Sequence, residues 1–132
     1  MKIIERPYIT VTYFEDKDMV YTEWHGFANS KEYRDVLTKY TEIAKKFNVT
    51  KWIGNTKNAK AIRPVDQEWT VKEWIHNFAK TKVKRMAVIV SDDIFNKMAI
   101  DNLMLKGNEF VKFDTKYFNN FEEAEKWVSE IK

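Results

Sequence analysis

The sequence predicts a single α/β domain over residues 1–132. It reads as a mixed five-stranded sheet in the order β-β-α-β-α-β-α-β-α, mostly parallel with an antiparallel first strand, and with helices on both faces. Three observations predict it. Short β-branched and aromatic runs alternate with stretches of helical periodicity, the pattern of right-handed crossovers onto a parallel sheet. The first two runs are separated only by Asp16-Lys17-Asp18, a hairpin link. Met86–Val90 is continuously apolar and bounded by Ser91-Asp92-Asp93, as a central strand buried on both faces should be.

Tyr8–Glu15 and Met19–Trp24 form the hairpin strands on this reading. In the first helix Tyr33, Val36, Leu37, Tyr40, Ile43, Ala44 and Phe47 hold the i, i+3, i+4, i+7 spacing. Asn29 is its N-cap and Glu32 completes a capping box, while Asn48 suits the left-handed position that ends it. Lys51–Ile53 reads as a short strand halted by Gly54. Pro64 opens a second helix running to about Lys80, with Val71, Trp74, Ile75, Phe78 and Ala79 as its core stripe. Ile94–Lys106 is a third helix stopped by Gly107, with Ile94 on its inner face. Phe110–Phe118 carries the last strand, and Asn120 caps a final helix with Glu123 at N3 and Phe121, Ala124, Trp127, Val128 and Ile131 as its apolar stripe.

Composition excludes several function classes. With no cysteine there is neither a disulfide framework nor a thiolate metal site. No apolar run approaches the ~20 residues of a membrane span, and the N-terminal residues lack a signal-peptide core, so a cytoplasmic location is expected. The net charge of +3 arises from well-mixed acids and bases, which speaks against a nucleic-acid footprint. No metal-ligand spacing, glycine-rich phosphate loop or nucleophile motif is present, so no cofactor, metal or catalytic residue is assigned.

Particular residues carry a family resemblance: Tyr21-Thr22-Glu23-Trp24-His25-Gly26, Lys51-Trp52-Ile53, Pro64-Val65-Asp66-Gln67-Glu68-Trp69, Arg85-Met86-Ala87-Val88, and Tyr117-Phe118 leading into Glu122-Glu123-Ala124. With the element order, they resemble the STAS-like superfamily, the fold of bacterial anti-sigma factor antagonists, and within it small stand-alone bacterial members. The resemblance implies a binding scaffold. Phosphorylatable members carry an Asp-Ser-Ser/Thr-Gly type motif where the second helix begins. Here that position reads Arg63-Pro64-Val65-Asp66-Gln67, so no phosphosite carries over.

Ligands of open α/β sheets bind beyond the carboxyl ends of the strands. Those positions hold His25, Asn55, Thr56, Ser91, Asp92 and Asp93. They are open to two readings, a small-molecule site or a set of caps and turn residues. A second set suggests an interface. Val65, Trp69, Lys72 and His76 share a line on the second helix away from its core stripe, and Ile100 and Met104 form an apolar pair on the outer side of the third. Trp69 either meets a partner or covers the end of the sheet.

These features support three functional expectations. The first is a non-catalytic binding or regulatory module acting through a protein partner or self-association. The second is a carrier of a small apolar ligand or lipid, and the third an enzyme with its site at the carboxyl ends of the strands. A closed apolar pocket would favour the carrier, and an apolar patch the protein-contact module.

Overall fold

The computed structural model describes residues 1–60, 63–94 and 113–130. Its strands are β1 (Lys2–Arg6), β2 (Ile9–Phe14), β3 (Met19–Gly26), β4 (Lys51–Ala59), β5 (Arg85–Ile89) and β6 (Asp114–Phe118). They lie side by side in chain order in one sheet. β1, β2 and β3 pair antiparallel, and β3 to β6 pair parallel. The sheet is thus mixed as expected, but it has six strands and not five.

The additional strand is β1. Its two isoleucines are flanked by Lys2 and by Glu5-Arg6, too short an apolar run to read as a strand alone. The Pro7-Tyr8 turn folds it back onto β2, and it takes the edge expected for Tyr8–Glu15. Charged side chains suit that edge because they discourage pairing with a further chain.

The first helix, α1 (Ser30–Phe47), follows the sequence closely. Asn29 accepts from the Glu32 amide at 2.8 Å and Glu32 accepts from the Asn29 amide at 3.0 Å, closing the capping box. Asn48 adopts φ +53°. Tyr33, Val36, Leu37, Tyr40, Ile43 and Ala44 are buried, and Phe47 stacks on Tyr13.

Gly54 does not halt β4. It pairs with Thr22 on one side and Val88 on the other, so two ladders hold the backbone through the glycine, and the strand runs on to Ala59. β5 is parallel to both neighbours but lies second from the β6 edge, not at the centre.

The second helical stretch departs from expectation. α2 (Pro64–Trp69) passes into a π-helical segment, Thr70–Trp74, and then into α3 (Ile75–Phe78). The Ile75 amide bonds the Thr70 carbonyl, five residues back. Such a turn holds one residue more than an α turn. It therefore rotates Val71 out of the core stripe, and that side chain is 54% exposed while Trp74 and Phe78 stay buried.

Two cores result. On one sheet face, α1 and the second helical stretch enclose an aromatic layer of Trp24, Tyr40, Trp52, Trp74 and Phe78. On the other, α4 (Phe121–Ser129), capped by Asn120, buries Ala124 and Val128 against Met19, Ile53, Ala87 and Ile89. Helices thus cover both faces. Among the described residues, none is long and apolar enough to cross a membrane.

Polar atoms inside the aromatic layer are mostly satisfied. Trp24 Nε1 donates to the Tyr40 hydroxyl at 2.9 Å, and Trp74 Nε1 to the Leu37 carbonyl at 2.6 Å. That second bond occupies the carbonyl one turn before Thr41, whose hydroxyl is buried without a partner among the described residues. Thr38 shows the alternative, bonding the Arg34 carbonyl four residues back.

The π-helical register makes a direct prediction. Val71→Ser should change stability by no more than about 0.5 kcal/mol, as for an ordinary surface site. Ile89→Asp should abolish cooperative folding, because an unpaired charge buried there costs on the order of 3–5 kcal/mol. Val88→Asp, at a half-buried position, should fall between them. Urea denaturation of the three variants checks the order, and a large loss for Val71→Ser would refute the register.

Candidate functional site

Because β3 to β6 all run in one direction, the connections that follow them emerge at one end of the sheet. The expected site residues lie at that end, but they divide among three places. His25 and Asn55 belong to the strands themselves, on the α4 face. There the Asn55 amide donates to the Tyr21 hydroxyl at 2.9 Å, and that hydroxyl donates to Glu23 Oε2 at 3.1 Å. His25 Nε2 lies 3.5 Å from both Glu23 Oε1 and Thr10 Oγ1. Burial and the Glu23 carboxylate push the Tyr21 phenol above its ordinary pKa, against the Asn55 amide, so Tyr21 stays protonated as a donor.

Thr56 points the other way and ties the end of β4 to β5, its hydroxyl donating to the Ile89 carbonyl at 2.8 Å. Ser91 caps the turn that follows β5, accepting from the Ile94 amide at 3.4 Å. Asp92 accepts from the Asn119 amide at 3.1 Å, and Asp93 is exposed. The structure therefore joins His25 to Asn55 through Tyr21 and Glu23, and gives Thr56, Ser91 and Asp92 local bonds.

Sequence reasoning missed a more tightly built group where α1 meets α2. Asp66 is only 2% exposed. Its Oδ2 accepts from the Ser30 hydroxyl at 2.7 Å and its Oδ1 from Arg34 Nε at 3.0 Å. Arg63 Nη1 donates to Ser30 Oγ at 3.2 Å. The Thr70 hydroxyl bonds the Asp66 carbonyl and the Tyr33 hydroxyl, each at 2.7 Å. Burial pushes the Asp66 carboxyl up, but Ser30, Arg34 and the Arg63 charge outweigh it and hold the group below its ordinary value. An acid in the first turn of a helix is expected for dipole reasons alone. Nothing local in the sequence announces that its partners lie more than thirty residues away.

Beside this group is a small cavity of about 40 Å³. Trp24, Ala28, Tyr33 and Ala59 line its apolar side, and Lys60, Arg63 and Asp66 its polar side. Among the described residues, no cluster of His, Asp and Glu could hold a metal ion.

The expected interface residues also separate. Val65 is 51% exposed, whereas Trp69 is half-buried, with the Tyr33 ring edge-on at 6.4 Å and the Arg34 guanidinium 5.1 Å over its face. The exposed remainder of Trp69 lines an open groove between α1 and the second helical stretch, with Thr38, Glu42, Lys45 and Glu73. Lys72 pairs with Glu68 at 2.7 Å on the surface, and His76 is exposed. Ile100 and Met104 lie outside the described residues. Ile94, expected on an inner face, is 50% exposed.

The Asp66 group should be visible in acid. A carboxylate whose pKa is lowered on folding contributes stability above its unfolded pKa and loses it as pH falls through the folded value. Asp66→Asn should therefore destabilise by about 1–3 kcal/mol at neutral pH, allowing for the partial exposure of Arg34. The gap to the wild type should close below about pH 4. Thermal melts of both proteins across pH test this, and a gap that stays constant in acid would show that Asp66 acts only through packing.

No protein-family model matches the chain, and no curated protein matches it. Its structure is similar to the crystal structure of an uncharacterized protein of the DUF3478 family, with a SpoIIAA-like fold, from Shewanella loihica PV-4. The TM-score is 0.62 and the identity 15%, over 95% of this chain and 97% of that one. At that identity the likeness carries architecture and not activity. With its mixed sheet, antiparallel at one edge and parallel at the other, the chain has a SpoIIAA-like fold.

Proposed function

We propose that the protein is a non-catalytic binding module that acts through protein contacts made at the carboxyl end of its sheet. The observation that carries this is the placement of exposed apolar side chains. Phe27 follows β3, Val65 follows β4 and Ile94 follows β5, and each is at least half exposed. Three successive connections thus present a large apolar group at one end of the molecule. Lys57, Lys60 and Arg63 stand among them on the β4 side, and Asp92 and Asp93 on the β5 side.

Apolar anchors with charged surroundings are the usual composition of a protein contact. The matching partner presents an apolar depression bordered by charge of both signs. The volume of the nearby cavity is too small for the carrier, whose drug-sized or larger apolar ligands need roughly 300–1,000 Å³. The groove of about 530 Å³ beside Trp69 is open and lined by Thr38, Glu42, Lys45 and Glu73.

The test is capture by tagged wild-type chain and by the Phe27→Asp/Val65→Asp variant, with thermal melting of both. The expected outcome is a specific bound protein whose affinity falls at least about thirtyfold in the variant, as for loss of a hot spot worth ~2 kcal/mol. The melting temperature should hold, since both side chains are already solvated. Capture that is indifferent to the double substitution would refute the reading. So would a wild-type chain that takes up a fatty acid and no protein, which would favour the carrier.

A further inference from the structure

The cavity between the β3–α1 and β4–α2 connections carries unbalanced charge. Asp66 is the carboxylate among its lining residues, and Arg34 already neutralises it while Ser30 occupies its second oxygen. Lys60 and Arg63 line the same cavity, and neither forms an ion pair among the described residues. Arg63 uses one N–H on Ser30 Oγ at 3.2 Å, which leaves most of its five-donor fork unengaged by that bond. Net positive charge therefore remains at the mouth, above a floor of Trp24, Ala28, Tyr33 and Ala59. Lys60 forms no ion pair among the described residues, and Arg63 only shares the Asp66 charge with Arg34.

We propose that this cavity is a binding site for a small organic carboxylate. The carboxylate group lies at the mouth between Lys60 and Arg63, and a short carbon end lies against Trp24 and Ala28. The volume of about 40 Å³ matches a ligand of this size, since roughly 10–15 Å³ suffices for one water. The guanidinium fork fits the two coplanar oxygens of a carboxylate. A phosphate would direct further oxygens at an apolar floor, where unpaired polar groups are costly.

This site goes beyond the protein-contact reading and does not depend on it. The two sit close, however. Phe27 is flanked by the lining residues Gly26 and Ala28, and Val65 precedes the lining residue Asp66.

Titration of propionate into the ¹⁵N-labelled full chain tests the proposal. Saturable shifts are expected at the Trp24 indole and at the Gly26, Ala28 and Lys60 amides, with the weak affinity of a ligand of few atoms. Lys60→Gln/Arg63→Gln should weaken binding at least about tenfold, the loss of one charge-assisted hydrogen bond. Both side chains are exposed, so the variant should keep the native spectrum elsewhere. Ala28→Leu, which fills the floor and leaves both cations, should abolish binding. Inorganic phosphate should give no saturable shift at the floor. Shifts that fail to saturate, an unchanged affinity in the double glutamine variant, or an equal response to phosphate would each overturn the proposal.

Discussion

The Trp74 indole donates to the Leu37 carbonyl inside the aromatic core, and the second helical stretch must keep that bond while holding Asp66 against α1. The contacting residues on this stretch are Asp66, Thr70, Trp74 and Phe78, spaced by fours. In a regular α-helix each four-residue step advances about 40° around the axis, so the last would drift about 120° from the first. The π segment from Thr70 to Trp74 holds an extra residue in one turn and takes up part of that drift. All four side chains then face α1 and the sheet. The wide turn is thus the consequence of two anchors on α1, one at Ser30–Arg34 and one at Leu37.

The same geometry decides where charge is left over. Arg34 lies between the Asp66 carboxylate and the face of Trp69, so one guanidinium serves an ion pair and a cation–π contact. A nearly buried carboxylate is tolerable only when its oxygens are satisfied, and Ser30 supplies the second bond. Once Asp66 is matched in this way, with Arg63 adding only its more distant charge, net positive charge from Lys60 and Arg63 is left beside the cavity. The local polarity of this end of the molecule therefore follows from helix packing.

What the sequence made legible was what is decided locally. The capping box at Asn29 and Glu32, the left-handed Asn48 and the Asn120 cap each involve residues within a few positions, and each forms as the pattern indicates. The β2–β3 hairpin and the parallel pairing of β5 are likewise present. Where long-range pairing decides, the local signal misled. Gly54 has the look of a strand stop, yet ladders to Thr22 and Val88 carry β4 through it. β1 has too few apolar residues to announce itself and is recruited by β2. The core stripe of the second helix was right at Trp74 and Phe78 and wrong at Val71, because helical periodicity presumes a constant turn. The Asp66 group joins residues 32 and 36 positions apart, a separation that no spacing rule spans.

Strand direction links these points to function. Four parallel strands send their following connections to one end, so that end gathers residues from segments distant in sequence. Its two boundaries are fixed differently. On the α1 side, the ion pair and the Thr70–Tyr33 bond hold the start of α2 against α1, which positions Val65 and Arg63 on a supported backbone. On the other side, Ser91 and Asp92 use their side chains on the turn after β5 and on Asn119. Polar groups already committed to such bonds are poor recognition elements, because a ligand must first displace them. Among the described residues of this end, groups still open to a partner include Phe27, Val65 and Ile94 and, at the cavity mouth, Lys60 and the rest of the Arg63 fork. Recognition is therefore expected on the β3–β4 side of this end, where apolar surface and unpaired charge coincide on a braced framework.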